Sequence, residues 1–329
     1  MLAKRSAGRV GAAFAFAICV AAAQSPAPLR LEKTIALPGV AGRIDHMSFD
    51  TATQRLFVAA LGNNAVEVAD VRSAKVVGTI TGLAEPQGVL YQPEKKRLFV
   101  ANGADGTVRI FDGLTLEPLR SIALGDDADN IRMDGARRVY VGYGSGAIAV
   151  LDGDGNEERE FKLDGHPESF QIEDHGQRMY VNVPQSGKIS VIDRGKSGAP
   201  GSWSTDDATA NFPMALDEGG GRLFIVCRRP ALLLVLDTKS GAVVQKLSTV
   251  GDSDDIFYDG KRRRLYASGG EGAIAVYQRQ ASGDYSEIAR IETVKGARTS
   301  LFVPALDRLF LAVRQEGQNP AAIWVYEAM

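Results

Sequence analysis

The chain has 329 residues, 45% of them hydrophobic, 24% charged and 7% aromatic, with 36 glycines and a formal net charge of −2. This is a globular composition with length enough for a large core, and it excludes a disordered or collagen-like chain. So small a net charge also argues against a strongly basic nucleic-acid binder.

In chain order, the first feature is an export signal over residues 1–23. Lys4, Arg5 and Arg9 form a positive start, the apolar stretch Gly11–Ala23 follows, and Ala21 and Ala23 supply the small residues of a cleavage site before Gln24. The apolar stretch is shorter than the ~20 residues a membrane-spanning helix requires. The expectation is therefore an exported protein, periplasmic or extracellular, with no membrane span after cleavage. Cleavage would remove three of the 38 basic residues and none of the 40 acids, leaving a net charge of −5 and a single cysteine, Cys227. One thiol cannot form an internal disulfide, and the apolar run before Cys227 marks it as a buried strand residue.

From residue 55 onward a repeat takes over. RLFVA begins at Arg55 and Arg97, RVYVG at Arg138, RMYVN at Arg178, RLFIV at Arg222, RLYAS at Arg264 and RLFLA at Arg308, at spacings of 40–44 residues. Each unit carries four strand-like runs; in the first they are His46–Asp50, Arg55–Ala60, Ala65–Asp70 and Lys75–Ile80. The third run ends in Asp in five units (Asp70, Asp112, Asp152, Asp193, Asp237), where the carboxylate can start a tight turn. Four antiparallel strands repeated seven times predict an all-β, seven-bladed β-propeller forming a single domain over 24–329. The last unit lacks a fourth strand, while the run Leu31–Leu37 precedes the first. The N-terminal strand is therefore expected to join the last blade and close the ring. A closed ring needs no partner subunit, which points to a monomer.

The segments Arg97–Asn102 (RLFVAN) and Arg178–Asn182 (RMYVN) resemble the YVTN-type repeat of YncE-like propellers, over about residues 30–329. The WD-repeat pattern fits worse, since neither Trp203 nor Trp324 is followed by Asp. The resemblance implies the propeller fold and an exported setting. Its wider group includes DNA-binding, lactonase-like and lyase-like members, so it implies no single reaction.

Comparing the units separates what the fold demands from what is free for function. The repeat Arg recurs in every unit, and Asp50, Asp134, Glu173, Asp217 and Asp259 stand four or five residues before it in five of them. A hairpin ion pair is expected there. By contrast, the positions just before each first strand differ. They carry Asp45–His46, Gln87–Gly88, Asp129–Asn130, Glu168–Ser169, Phe212–Pro213 beside Asn211, Asp254–Asp255 and Arg298–Thr299. In a propeller the first strand lines the central channel, so these positions should converge on one funnel. Turns between second and third strands open on the same face and should bring Asn63, Asn102, Tyr143, Gln185, Arg228, Arg229, Glu271 and Arg314. His166 arrives from the same side.

The predicted ligand-binding set is Asp45, His46, Gln87, Asp129, Asn130, His166, Glu168, Asn211, Arg228, Asp254, Asp255 and Arg298. A small molecule or a protein is the expected partner at this face. His46, Asp129, Glu168 and His166 are the candidate proton-transfer groups. Asp45, Asp129, Glu168 and Asp254 could hold Ca²⁺ or another divalent cation through oxygen ligands. Without a cation, crowded carboxylates should leave at least one with a raised pKa. The same ring would suit a lactonase-like hydrolase or a lyase. Nucleic acid fits poorly, because the densest basic run, Lys261–Arg264, falls at an opposite-face turn.

Overall fold

The computed structural model describes residues 27–329, together with Met1; the export signal expected over 1–23 lies outside the described residues. Seven four-stranded antiparallel sheets follow one another around the ring. Blade 1 is β2 (Met47–Asp50), β3 (Arg55–Ala60), β4 (Ala65–Asp70) and β5 (Lys75–Ile80), each strand within one residue of its sequence-predicted limits. In blade 7, β26 (Ser300–Val303), β27 (Arg308–Val313) and β28 (Ala322–Ala328) are completed by β1 (Leu29–Ala36), which runs antiparallel to β28. The closure is thus made by the N-terminal strand, as the missing fourth strand predicts. No helix among the described residues is long and apolar enough to cross a membrane.

Burial grades outward across each blade. The middle strands are almost wholly buried, whereas fourth strands such as β5 alternate between exposed and half-buried positions. In six blades the pairing of third with fourth strand slips by one residue, for instance at Val68/Ala69 and Val276/Tyr277. Such a bulge adds twist, which turns the outer edge away from the mean plane and blunts it as a pairing surface. The terminal Asp of the third strand then receives backbone N–H groups of the following turn. Asp237 Oδ1 accepts from Lys239 and Ser240, both at 3.0 Å, and Asp112 Oδ1 from Leu114 and Thr115, both at 2.8 Å.

Blades are joined by aromatic pairs at a constant place. A second-strand ring of one blade meets a first-strand ring of the next in Phe57–Tyr91 (centroids 5.4 Å), Phe224–Tyr258 (5.6 Å) and Tyr266–Phe302 (5.1 Å). Phe310–Phe49 (5.6 Å) makes the same contact across the closure. Such pairs contribute about 0.5–1.5 kcal/mol each beyond their area burial.

The repeat arginines differ in part from expectation. Among the described residues, the hairpin ion pair forms at Arg138–Asp134 (2.9 Å) and Arg178–Glu173 (2.7 Å). Arg222 pairs with Asp237 (2.9 Å) and Arg308 with Glu32 (2.5 Å), each within its own blade, and the other three cross to the next blade. Arg55 donates to Leu114 O at 3.0 Å, Arg97 to Gly153 O at 2.6 Å and Arg264 to Met329 O at 2.6 Å. The side chain is long enough to reach a turn of the neighbouring blade, where Arg97 meets the Asp154 carboxylate (2.5 Å) as well as the carbonyl. Asp134, Glu173 and Asp259 also accept from the second-strand hydroxyls of Tyr140, Tyr180 and Tyr266.

Candidate functional site at the channel mouth

The first strands end at the channel in a constant register. The backbone N–H of Asp45 donates to Ala59 O (2.8 Å), that of Asp129 to Gly142 O (2.9 Å) and that of Glu168 to Asn182 O (3.0 Å). These three acids thus occupy equivalent places in blades 1, 3 and 4, although the sequence separates them by dozens of residues. Blade 2 carries Gly88 beside Gln87, and a Cβ there would lie 2.1 Å from Asp129 O. The glycine lets two blades approach each other at the axis.

A cavity of about 560 Å³ opens at this mouth. Its walls carry opposite charge. Asp127, Asp129, His166 and Glu168 stand on one side, while Arg43, Arg228 and Arg298 stand with Asp254 on the other. His166 Nδ1 lies 2.6 Å from Gly144 O, so it donates there, and Nε2 faces Asp129 Oδ2 at 3.9 Å. Gln87 Nε2 donates to Asp127 Oδ1 at 3.1 Å.

Burial shapes the charge state of the acidic wall. Loss of water and the neighbouring Asp129 charge push Glu168 up to about 7. Burial also raises Asp127. Burial opposes ionisation of Asp129 as well, but His166 and His46 prevail and hold it below the usual carboxylate range. For His166, burial works against the cation, and Asp129 with the Gly144 carbonyl overcomes it, raising the imidazole to about 9. A carboxyl that titrates near neutrality beside a charged imidazole is a competent proton donor and acceptor pair.

A second layer lies deeper in the channel, around a cavity of about 300 Å³. Here His46 Nδ1 faces Asp255 Oδ1 at 3.9 Å and its Nε2 lies 3.3 Å from Asn130 Nδ2. Burial pushes Asp255 up to about 7, although its Oδ2 accepts from Ser300 N at 2.8 Å. Burial lowers the nearby Arg132.

The twelve sequence-predicted residues therefore separate into groups. Gln87, Asp129, His166, Glu168, Arg228, Asp254 and Arg298 line the mouth; His46 and Asp255 belong to the deeper layer, with Asn130 beside them. Asp45 is buried and bound to Arg43 (2.6 Å). Asn211 corrects the expectation: it is fully buried, and its Nδ2 donates to Asn182 Oδ1 (2.9 Å) and Lys188 O (3.0 Å), which joins blades 4 and 5. The fourfold carboxylate set expected for a cation is also not assembled as free ligands, because Arg43 holds Asp45 and two arginines hold Asp254. Arg298 Nε lies 2.5 Å from Asp254 Oδ2, Arg228 pairs with the other oxygen, and Arg228 also stacks 3.8 Å over the Phe212 ring. Among the described residues, the compact cluster is instead Asp129, His166 and Glu168, whose ligand atoms all lie within 4.8 Å of one another.

Of the expected rim, Gln185 lines the cavity, while Asn102 is fully buried and the Tyr143 hydroxyl turns outward to Glu160. Arg43, Asp126, Asp127 and Asp252 were not anticipated. The run of acids in Gly125–Asn130 and the Arg two residues before Asp45 were the available signals. The basic run at Lys261–Arg264 is occupied structurally: Lys261 pairs with Asp307 (2.5 Å), and Arg262 pairs with Asp259 (3.0 Å) and Asp307 (2.7 Å).

No family model matches the chain, and no curated protein matches it by sequence. Among solved structures, RRP9 WD40 repeats superpose with a TM-score of 0.76 at 10% identity, over 93% of this chain and 98% of that one. A chain of the Mitotic Checkpoint Complex gives 0.74 at 15% identity, over 95% and 98%. A chain of Kuenenia stuttgartiensis Hydrazine Synthase gives 0.71 at 18%, over 84% and 94%. At these identities the likeness establishes the propeller fold, even though the WD signature is missing from the sequence, and carries no function with it.

Proposed function

We propose that this protein is an exported, monomeric β-propeller of the YncE-like kind that binds a small polar ligand at the mouth of its channel. Residues 1–23 support export, and the YVTN-like segments support the kinship. The observation that carries the binding reading is the two-sided cavity, with its acid and imidazole wall facing an arginine wall. A small molecule bearing both an anionic group and hydroxyl or amino groups would find a partner on each side, in a concave site of typical size for such ligands. Lys261 and Arg262 are engaged by carboxylates, which weighs against phosphate-backbone binding as the main role.

Calorimetric titration of the whole protein with sugar acids, amino acids and lactones tests this reading. Binding of at least one class, weakened tenfold or more by Asp129→Asn with Glu168→Gln, is expected. Affinity unchanged in that double variant removes it.

A second reading, hydrolase or lyase chemistry of the lactonase-like kind, draws on the pairing of Glu168, raised to about 7, with His166. In it, Glu168 would take a proton from water while His166 stabilises the developing oxyanion. Lactone turnover that disappears in Glu168→Gln supports this. Binding without turnover leaves the ligand-binding reading alone.

A further inference from the structure

We propose that Asp129, His166 and Glu168 form a mononuclear site for a borderline divalent cation, zinc or manganese rather than calcium, open toward the funnel. The proposal rests on the small-ligand reading of the same cavity and gives that ligand a metal to meet.

Three independent features of the cluster carry it. The imidazole is set for ligation: Nδ1 donates to Gly144 O at 2.6 Å, so Nε2, which faces Asp129, is the nitrogen that gives up its proton to a metal. A histidine ligand commonly has its second nitrogen held in this way. The Asp129 side chain is only 10% exposed, yet no donor among the described residues hydrogen-bonds its carboxylate; the nearest charged group, His166 Nε2, stands off at 3.9 Å. A largely buried carboxylate with no protein donor takes its partner, water or a cation, from the space it opens on. It lines the cavity, as do His166 and Glu168. Finally, the three ligand atoms lie within 4.8 Å of one another. A coordination shell of ~2.0–2.2 Å needs them roughly 3.3 Å apart, a closure of the order of 1 Å.

The surroundings select the cation. Calcium takes six to eight oxygens, but the other two carboxylates of the mouth, Asp45 and Asp254, are held by Arg43, Arg228 and Arg298. One imidazole and two carboxylates instead suit a metal content with nitrogen and a low ligand number. With three protein ligands on one wall, the remaining positions face the cavity, where water or an anionic group of the small molecule can bind.

The test is titration of EDTA-treated, dialysed whole protein with ZnCl₂, MnCl₂ and CaCl₂ by calorimetry at pH 8, repeated on His166→Gln, Asp129→Asn, Glu168→Gln and the control His175→Ala. His175 is an exposed imidazole paired with Glu218, and it does not line the cavity. The expected result is one Zn²⁺ or Mn²⁺ per chain, bound at least tenfold more tightly than Ca²⁺. Each of the three cluster variants should lose at least tenfold in affinity with an unchanged circular dichroism spectrum, and His175→Ala should match wild type. Absence of stoichiometric Zn²⁺ and Mn²⁺ binding overturns the proposal, as does equal or tighter Ca²⁺ binding, or binding that survives in the cluster variants. If a cluster variant misfolds, the visible absorption of Co²⁺-loaded wild type decides: bands of a nitrogen- and oxygen-ligated, low-coordinate ion support the site, and the spectrum of hexaaqua Co²⁺ overturns it. Small-molecule titration in EDTA separates this failure from failure of the funnel reading, since binding there survives loss of the metal proposal alone.

Discussion

Arg298 of blade 7 and Asp254 of blade 6 are joined Nε to Oδ2 at 2.5 Å across the mouth of the channel. Arg298 also reaches Asp252 at 2.7 Å, and Arg228 pairs with the far oxygen of Asp254. Asp254 is thus the anion on which two arginines from different blades converge. Asp254→Ala leaves both cations short of a partner in a partly buried site, which should cost about 2 kcal/mol. Thermal unfolding checks this, with a Tm decrease of roughly 3 °C expected for a domain of this size.

The acidic wall behaves differently with pH. Glu168 and Asp255, both raised to about 7, hold protons in the folded state that the unfolded chain has already released between about pH 4 and 7. His166, raised to about 9, does the same between about pH 6.5 and 9. In each window the folded state binds more protons, so stability falls as pH rises. Metal-free protein should therefore lose Tm steadily from pH 5 to pH 9. Glu168→Gln should flatten the lower part of that decline and raise Tm at pH 8. A Tm that climbs over this range contradicts the assignment.

Closure by the N-terminal strand has a direct consequence. Removing residues through Ala36 exposes the whole edge of β28 and deletes the fully buried Ile35 from the core. The truncated chain should aggregate or unfold with a broad, lowered transition, and a synthetic peptide of residues 28–37 should restore part of the lost Tm. Unaltered cooperative unfolding after truncation would contradict the closure.

Asn211 separates architecture from function. Its amide ties Asn182 to Lys188 O inside the joint between blades 4 and 5. Asn211→Ala should cost about 1–3 kcal/mol through unsatisfied buried groups, measured by urea unfolding, and leave ligand affinity within twofold.

The strands and their order were legible because the demands that set them recur seven times. An Arg and an apolar run recur in every blade and a terminal Asp in five, answering the same packing problem each time, so Arg55–Ala60 could be read to the residue. The funnel was legible only as a position. Counting back from the repeat Arg found Asp129 and Glu168 in equivalent register, but nothing in the spacing says that Arg43 takes Asp45, that Asn211 turns into a blade joint, or that His46 and Asp255 sit in a deeper layer. Those outcomes depend on side-chain reach between residues far apart in sequence. The repeat arginines show the same effect, since Arg55 reaches a carbonyl on the next blade instead of pairing with Asp50 in its own hairpin.

The central claim is that the channel mouth holds a small polar ligand between its two walls. A crystal structure of the protein with the tightest binder from the titration panel tests it most directly. The account predicts the molecule seated in the mouth, with polar atoms in contact with Glu168 or His166 on one side and Arg298 or Arg228 on the other. The same compound bound instead in the outer groove between blades 1 and 2, beside Phe111 and Leu116, with only water at the mouth, would contradict it.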